Sequence, residues 1–461
     1  MRATKLVCTL GPAVVERLDE LVAAGLDVAR VNLSHGERAD HDRLVDGVRA
    51  AAERGGRTVG VLADLGGPKV RLGEVAGGEV NLERGGRFVL GDSADGQGAA
   101  TNHPELSSDL EPGDRILLAD GAAELRVLEI EGGGVVTEVV RGGRIRSRAG
   151  VNVPAERLST PAITEKDRAD AIWAVEAGVD MVAQSFVRGP SDVIALQKLL
   201  GETPPLVVAK IETGPAVREI AGILEAADGI MVARGDLGVE LPLEEIPLIQ
   251  RDLVGRSIAS AKPVIVATQM LESMTHSARP TRAEASDVAT AVFEGADAIM
   301  LSAETAVGDY PIEAARTASR IAEVAGGSGY LAAPPSLAAP TDAHLIAQAA
   351  LAVSLQGGMT AIACFTQSGM TAQLIAARRP RIPIYAFSPV QRVVRALTLY
   401  RGVTPFLAEP LDDTDAMIAL VDRRLRESGF VRPDDAILVV GSSPFGEANT
   451  NLLKIHRVGR A

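Results

Sequence analysis

Lys210 and Glu212 close one apolar run (residues 206–211), and Arg234, Gly235 and Asp236 follow a second (229–233) at once. Lys210 and Glu212 are two apart, so on an extended strand they share a face. An amphipathic helical stretch lies between the two runs, which makes 206–242 one βαβ unit. In parallel α/β proteins the carboxyl ends of strands and the loops after them hold the active site. A lysine, an arginine and two carboxylates gathered there suit a phosphorylated substrate bound through a divalent metal. Mg²⁺ commonly takes one or two carboxylates and leaves its other positions to substrate oxygens and water. No His or Cys stands nearby, which disfavours zinc. The competing reading is a structural ion-pair network at a barrel rim.

Other strand ends carry related residues. Arg30, Asn32 and Ser34 share a face of VARVNLS, where Arg30 could fork onto a phosphoryl group and the other two offer neutral oxygens. The segment from Asp64 to Arg71 (DLGGPKVR) combines glycines that permit close backbone approach with Lys69 and Arg71. Thr268 ends PVIVAT, and Ser302 and Glu304 end AIMLSAET. These hydroxyls and the carboxylate could pass protons through water, although Thr268 without those neighbours reads better as a helix cap or a backbone hydrogen bond. The loop TQSGMT places Thr366, Ser368, Gly369 and Thr371 before a helix, an anion nest without lysine or metal-binding carboxylate. It reads as a binding site without chemistry, with a capping loop as the alternative.

The elements that position these residues follow a β–α rhythm. Apolar runs at 5–10, 28–33, 58–64, 181–185, 206–211, 229–233, 263–268 and 298–302 each lead into a helical pattern or a break, giving eight strands. Eight strands over about 250 residues of non-inserted chain match a (β/α)8 barrel. The rhythm breaks over residues 73–154, where short alternating runs between Gly-rich turns predict a small antiparallel β-rich domain without a helix. It resumes at Thr164, a plausible N-cap. A Gly/Ala/Pro/Ser-rich stretch at 326–340 predicts a linker, and a further α/β unit follows. The expected division is a barrel domain (1–70 and 155–330), an inserted β-barrel-like lid (71–154) and a C-terminal α/β domain (340–461).

With 461 residues, 46% hydrophobic and 23% charged, the composition is that of a globular protein of two or three domains. Aromatics are 3%, so aliphatic side chains must fill the cores. A net charge of −13 argues against a nucleic-acid surface. Cys8 and Cys364 lie far apart in apolar runs, as reduced thiols of a cytoplasmic protein would. The opening MRATKLVCTLGP already reads as strand and turn, so neither a secretory signal nor a membrane span is expected.

Taken together, the runs TKLVCTLGP, GLDVARVNLSHG, ADLGGPKVR, GVNVP, VDMVAQSFVR, AKIET, DGIMVARGDLGVELP, KPVIVATQMLESM, RPTRAEASDVATAVFEGADAIMLSAETAVGDYP and TQSGMTA resemble the pyruvate kinase family, in order and along nearly the whole chain. The resemblance implies a barrel, a β-rich lid and a C-terminal regulatory domain. It implies phosphoryl transfer from phosphoenolpyruvate to ADP, giving pyruvate and ATP, the final step of glycolysis. Arg30 and Lys210 would hold the transferring group, and Glu212 and Asp236 would bind Mg²⁺ (or Mn²⁺). Amides near Gly235 and the Thr268 hydroxyl would orient the substrate carboxylate. Thr268, Lys210, Ser302 and Glu304 are the candidates for protonating the enolate. His35, Arg71 and Asp120 would touch the nucleotide, and a homotetramer is implied.

Three departures from the family pattern matter. Members that need K⁺ commonly read Asp-Thr-Lys-Gly-Pro-Glu where this chain has Asp64-Leu65-Gly66-Gly67-Pro68-Lys69. An ammonium at Lys69 can replace K⁺, so K⁺ is expected not to be required, although Asn32, Ser34, Asp64 and Leu65 still outline the cation site. Ala149, after Arg148, stands where the lid often carries a lysine, so that nucleotide contact is not carried over. Gln367, Met370 and the loop at 441–451 lack the basic residues of fructose-bisphosphate-activated members. A sugar or nucleotide monophosphate is the expected phosphorylated effector. Two rivals are another barrel lyase acting on phosphoenolpyruvate or pyruvate, and a non-catalytic metabolite sensor. The insertion and TQSGMT count against the first, and the presence of Lys210, Glu212 and Asp236 against the second.

Overall fold

Eight strands too apolar to face water on either side bury both faces by closing on themselves. In the computed structural model, which describes residues 2–91, 98–333, 341–410, 413–442 and 450–460, these are β1 (Lys5–Thr9), β2 (Val28–Asn32), β3 (Gly60–Asp64), β4 (Met181–Gln184), β5 (Leu206–Ile211), β6 (Gly229–Ala233), β7 (Val264–Ala267) and β8 (Ala298–Leu301). All neighbours pair in parallel, and β8 closes on β1 with Lys5 opposite Ala298. The expected barrel is what the chain forms. Alternate residues point inward (Val7, Leu62, Val208, Met231, Ile265, Met300) and outward against the helices (Leu6, Cys8, Val61, Val207, Val266). The interior layer runs without a break into apolar residues of the C-terminal unit, among them Ala350, Ile362, Ile375 and Leu397, which plug the barrel floor.

The floor carries a repeated device. The aspartate just before each even-numbered strand accepts an N–H from the first turn of the preceding strand. Asp27 takes Leu6 at 2.9 Å, Asp180 takes Val61 at 2.8 Å, Asp228 takes Val207 at 2.9 Å and Asp297 takes Val264 at 3.2 Å. The sequence shows it as GLD, GVD, AAD and GAD. Basic partners complete three of these sites: Arg2, Lys5 and Arg57 around Asp27, Arg49 on Asp180, and Arg379 on Asp297. Arg379 comes from the C-terminal unit and grips Asp297 bidentately at 3.0 and 2.6 Å, fully buried, so that one ion pair fastens the two units.

Between β3 and β4 the chain makes a six-stranded sheet, an antiparallel two-stranded ribbon (Glu79–Leu82 with Gly143–Arg146) and their own apolar core. Two details depart from expectation. A four-residue helix, Leu106–Asp109, is present, and the edge strand Gly98–Ala99 pairs in parallel with Arg87–Leu90. Helix Glu165–Glu176 then starts at Thr164, whose hydroxyl accepts from the Asp167 amide at 3.0 Å in a capping box. The expected linker is helical as far as Gly327, where Pro311–Gly327 ends, and its residues 334–340 lie outside the described residues. The C-terminal sheet runs Val403–Leu407, Ile384–Ser388, Met359–Phe365, Ala436–Gly441, Leu452–Arg457, the last antiparallel. Among the described residues, no helix is long and apolar enough to cross a membrane.

Candidate active site at the barrel mouth

Carboxyl-terminal strand ends bring one compact cluster together. Lys210 Nζ, near the end of β5, lies 2.8 Å from Glu212 Oε1 and 3.2 Å from Asp64 Oδ1, and donates to Ser185 Oγ at 2.7 Å. Arg30 on β2 donates from Nε to Asp64 Oδ2 at 2.7 Å and from Nη1 to Thr9 Oγ1 at 2.9 Å. Burial pushes the Asp64 carboxyl up, but Lys210 and Arg30 outweigh it and hold it below the usual carboxylate range. Burial likewise works against charge on Lys210, but Asp64 and Glu212 outweigh it and raise the ammonium above its ordinary value. Lys210 is therefore a fixed positive charge at neutral pH. Glu212 differs: burial drives it up, Lys210 draws it down, Asp236 pushes it up again, and the net shift is upward.

The backbone around Glu212 is bent to serve it. Phe186 sits in the left-handed region (φ 54°) and aims its N–H at Glu212 Oε2, 2.8 Å away. A β-carbon on Gly67 (φ 69°) would come within 2.9 Å of both Phe186 and Ser185 side chains, so this loop tolerates glycine alone. Glu212 and Asp236 present hard oxygens whose mutual repulsion a divalent cation would relieve, and this donor set fits Mg²⁺ or Mn²⁺.

Asp236 and Gly235 lie in the first turn of helix Arg234–Glu240, after β6. The Gly235 amide donates to Thr268 Oγ1 at 2.8 Å, while that hydroxyl donates to the Ala267 carbonyl at 2.6 Å. Amide and hydroxyl thus satisfy each other here. Thr268 is β-branched yet holds φ 68°, a strained conformation of the kind found at functional sites. Arg234 turns away from the cluster, to Asp287 at 2.6 Å and the Thr268 carbonyl at 2.6 Å. Its guanidinium braces the loop after β7 and does not join Lys210 as a second cation. Glu304 is fully buried and accepts from the Ser302 amide at 2.6 Å and the Leu271 amide at 3.1 Å. Burial raises its carboxyl. The same loop is fixed again by Glu284, which accepts from Ser273 (N 2.7 Å, Oγ 2.6 Å) and caps its own helix through Thr281.

Three of the residues expected to line a monovalent cation site are engaged in other contacts. Asn32 Oδ1 accepts the Ser34 amide at 3.2 Å, Asp64 is held as above, and the Leu65 carbonyl accepts the Ser185 hydroxyl at 2.6 Å. The Lys69 ammonium stands 3.7 Å from Asp236 Oδ1 and 3.7 Å from Asp120 Oδ1, bridging the barrel to the inserted unit. His35 is exposed; Arg71 reaches the Arg148 carbonyl at 3.4 Å. In the C-terminal unit, Thr366 Oγ1 accepts the Gly369 amide at 2.8 Å, and Thr371 pairs with Thr450 at 2.7 Å. Both hydroxyls are buried, whereas Ser368 is exposed. Residues 443–449 of the late loop lie outside the described residues. Ser185 and Thr9, which anchor Lys210 and Arg30, were missed as partners, since neither stands near them in sequence.

Known proteins resemble the chain in both sequence and fold. The family description "Pyruvate kinase, barrel domain" matches residues 1–315, and "Pyruvate kinase, alpha/beta domain" matches residues 344–456. A pyruvate kinase of Mycobacterium intracellulare is 45% identical over 469 residues, covering 99% of each chain. One from Corynebacterium glutamicum is 44% identical over 467 residues, covering 99% of this chain and 98% of that one. The crystal structure of a pyruvate kinase from Cryptosporidium parvum superposes with a TM-score of 0.91 at 31% identity, over 99% of this chain and 96% of the other. With both of its units matched and its fold shared end to end, the chain is an enzyme of the pyruvate kinase family.

Proposed function

We propose that the enzyme transfers the phosphoryl group of phosphoenolpyruvate to ADP, giving pyruvate and ATP as the last step of glycolysis, with Mg²⁺ (or Mn²⁺) and without a need for K⁺. The observation that carries this reading is Lys210, kept charged between Asp64 and Glu212 and facing the same mouth as Asp236. Phosphoryl transfer requires positioning and charge neutralisation more than covalent help from the protein. Lys210 and Arg30 bind the transferring group and neutralise its equatorial oxygens. A divalent ion on Glu212 and Asp236 would supply Lewis-acid stabilisation of substrate oxygens. The Gly235 amide and Thr268 hydroxyl exchange their mutual hydrogen bond for one each to the substrate carboxylate. His35, Arg71 and Asp120 contact the nucleotide as the inserted unit closes.

In the second step the enolate takes a proton, with Thr268, Lys210, Ser302 and Glu304 as candidates for the relay. Lys69, beside Asp236, replaces the charge that K⁺ supplies elsewhere, leaving Asn32, Ser34, Asp64 and Leu65 free of that duty. A sugar or nucleotide monophosphate at Ser368 and the Gly369 region, near Thr366 and Thr371, regulates a cytoplasmic homotetramer divided as barrel (1–70, 155–330), lid (71–154) and C-terminal domain (340–461).

The first test is pyruvate formation from phosphoenolpyruvate and ADP with Mg²⁺ in K⁺-free buffer. Full activity there, with Lys69→Glu becoming K⁺-dependent, is the expected result. Activity only with added K⁺ in the native enzyme removes the Lys69 reading and keeps the reaction. No pyruvate under any condition, effectors included, favours a sensor.

A further inference from the structure

Glu240 ends the helix that begins with Arg234-Gly235-Asp236, four residues and about one turn beyond Asp236. Its Oε2 accepts the Gly214 amide at 3.2 Å, two residues after Glu212, and the Ala155 amide also faces it. Ala155 lies where the chain leaves the inserted unit, directly after Val151–Asn152 and Pro154. One carboxyl therefore touches three segments: the Asp236 helix, the Glu212 loop and the exit of the lid. The contact lines a cleft of about 240 Å³ between the two units, together with Arg115 and Asn152 from the lid, Glu156 from the exit and Arg218 from the barrel. A single carboxyl bracing the loops of Glu212 and Asp236 against the exit of the inserted unit is a means of coupling them.

We propose that Glu240 is a positioning residue that holds the lid exit against the loops bearing Glu212 and Asp236, and so sets how firmly the lid closes over the nucleotide. This rests on the reaction proposed above. The surroundings give the coupling a pH dependence. Burial comes first in pushing the Glu240 carboxyl up to about 7; Glu156 adds to the rise, while the Gly214 and Ala155 amides and Arg218 oppose it. Arg115, across the cleft on the lid, also faces the site. Closure dries the cleft and favours the neutral acid, and ionisation draws in water and favours the open lid. By linkage, closure is easier below pH 7 and weakens as pH rises through it.

Three readouts test this. In the native enzyme the KM for ADP should rise between pH 6 and 8.5 with kcat nearly constant. Glu240→Gln, which keeps an acceptor for both amides and cannot ionise, should hold its pH 6 KM across that range. Glu240→Ala, which loses the bracket, should raise the KM for ADP roughly five- to tenfold at pH 6, the loss of one or two hydrogen bonds, with kcat within about twofold. Amide hydrogen exchange at Gly214 and Ala155 should quicken in Glu240→Ala and not in Glu240→Gln. The inference is overturned if Glu240→Gln keeps the native alkaline rise, or if Glu240→Ala shows native KM and native exchange. An inactive native enzyme would instead overturn the proposed reaction, and the exchange readout would still judge the bracket.

Discussion

The two ends of the barrel use the same residue types in opposite ways. At the floor, Asp27, Asp180, Asp228 and Asp297 are buried or capped, and each accepts a strand N–H. Arg379 holds Asp297 with two buried hydrogen bonds. At the mouth, Lys210 and Arg30 share Asp64, Asp236 is partly exposed, and Thr268, Gln269 and Phe186 hold positive φ. At the floor each aspartate is pinned by a strand N–H, and three of the four are also held by basic side chains. Charges at the mouth are held in place with bonding capacity left toward the opening. A satisfied charge contributes to stability, and a preorganised, incompletely satisfied one is available for catalysis.

This contrast should separate activity from stability. Asp236→Asn is expected to lower kcat/KM by about 10²–10³, the scale of losing one preorganised electrostatic element, with little change in the unfolding transition; a large loss of stability would erase the distinction. Asp297→Ala, which leaves Arg379 buried and uncompensated, should cost about 3–5 kcal/mol. Chemical denaturation would read this as an earlier transition, with turnover per folded molecule near native. Arg379→Ala should behave alike.

Smaller effects sharpen the contrast. Ser185→Ala removes one partner of Lys210 and should reduce kcat/KM roughly fivefold, about 1 kcal/mol. Asp27 gives the pH dependence. Burial pushes its carboxyl up, but Arg2, Lys5 and Arg57 outweigh this and hold it below 3.8 in the folded protein. Its stabilising contribution is therefore full above the unfolded value near 4 and is lost as pH falls through the folded value. Asp27→Asn should make stability between pH 5 and 2 less steep in pH. An unchanged acid limb in that variant would falsify the assignment.

Much of this was legible in the chain. The eight apolar runs and their spacing were read to within a residue or two, because parallel strands buried on both faces leave continuous apolar signals. Lys210 beside Glu212 followed from strand periodicity alone. Two C-terminal strands carry little strand signal in the sequence. Val403–Leu407 contains Pro405 and survives as a strand because it lies at the sheet edge, where a missing N–H costs no ladder bond. Leu452–Arg457 is half polar, with Lys454, His456 and Arg457, and is also an edge. The repeated x-x-Asp before even strands was visible, but no local rule says that such an aspartate caps the neighbouring strand.

By itself, then, the sequence determined the barrel, the insertion and the strand ends that carry Lys210, Glu212 and Asp236, because periodicity and strand-end position are local properties of the chain. Tertiary structure decided which charges meet. Arg234 and Lys210 are alike in sequence terms, each next to a carboxylate at a strand end. Only closure of the barrel turns one toward Asp287 and the other toward Asp64. Partner choice among charges depends on distances between segments far apart in the chain, and burial then decides whether the pair braces the fold or faces a substrate.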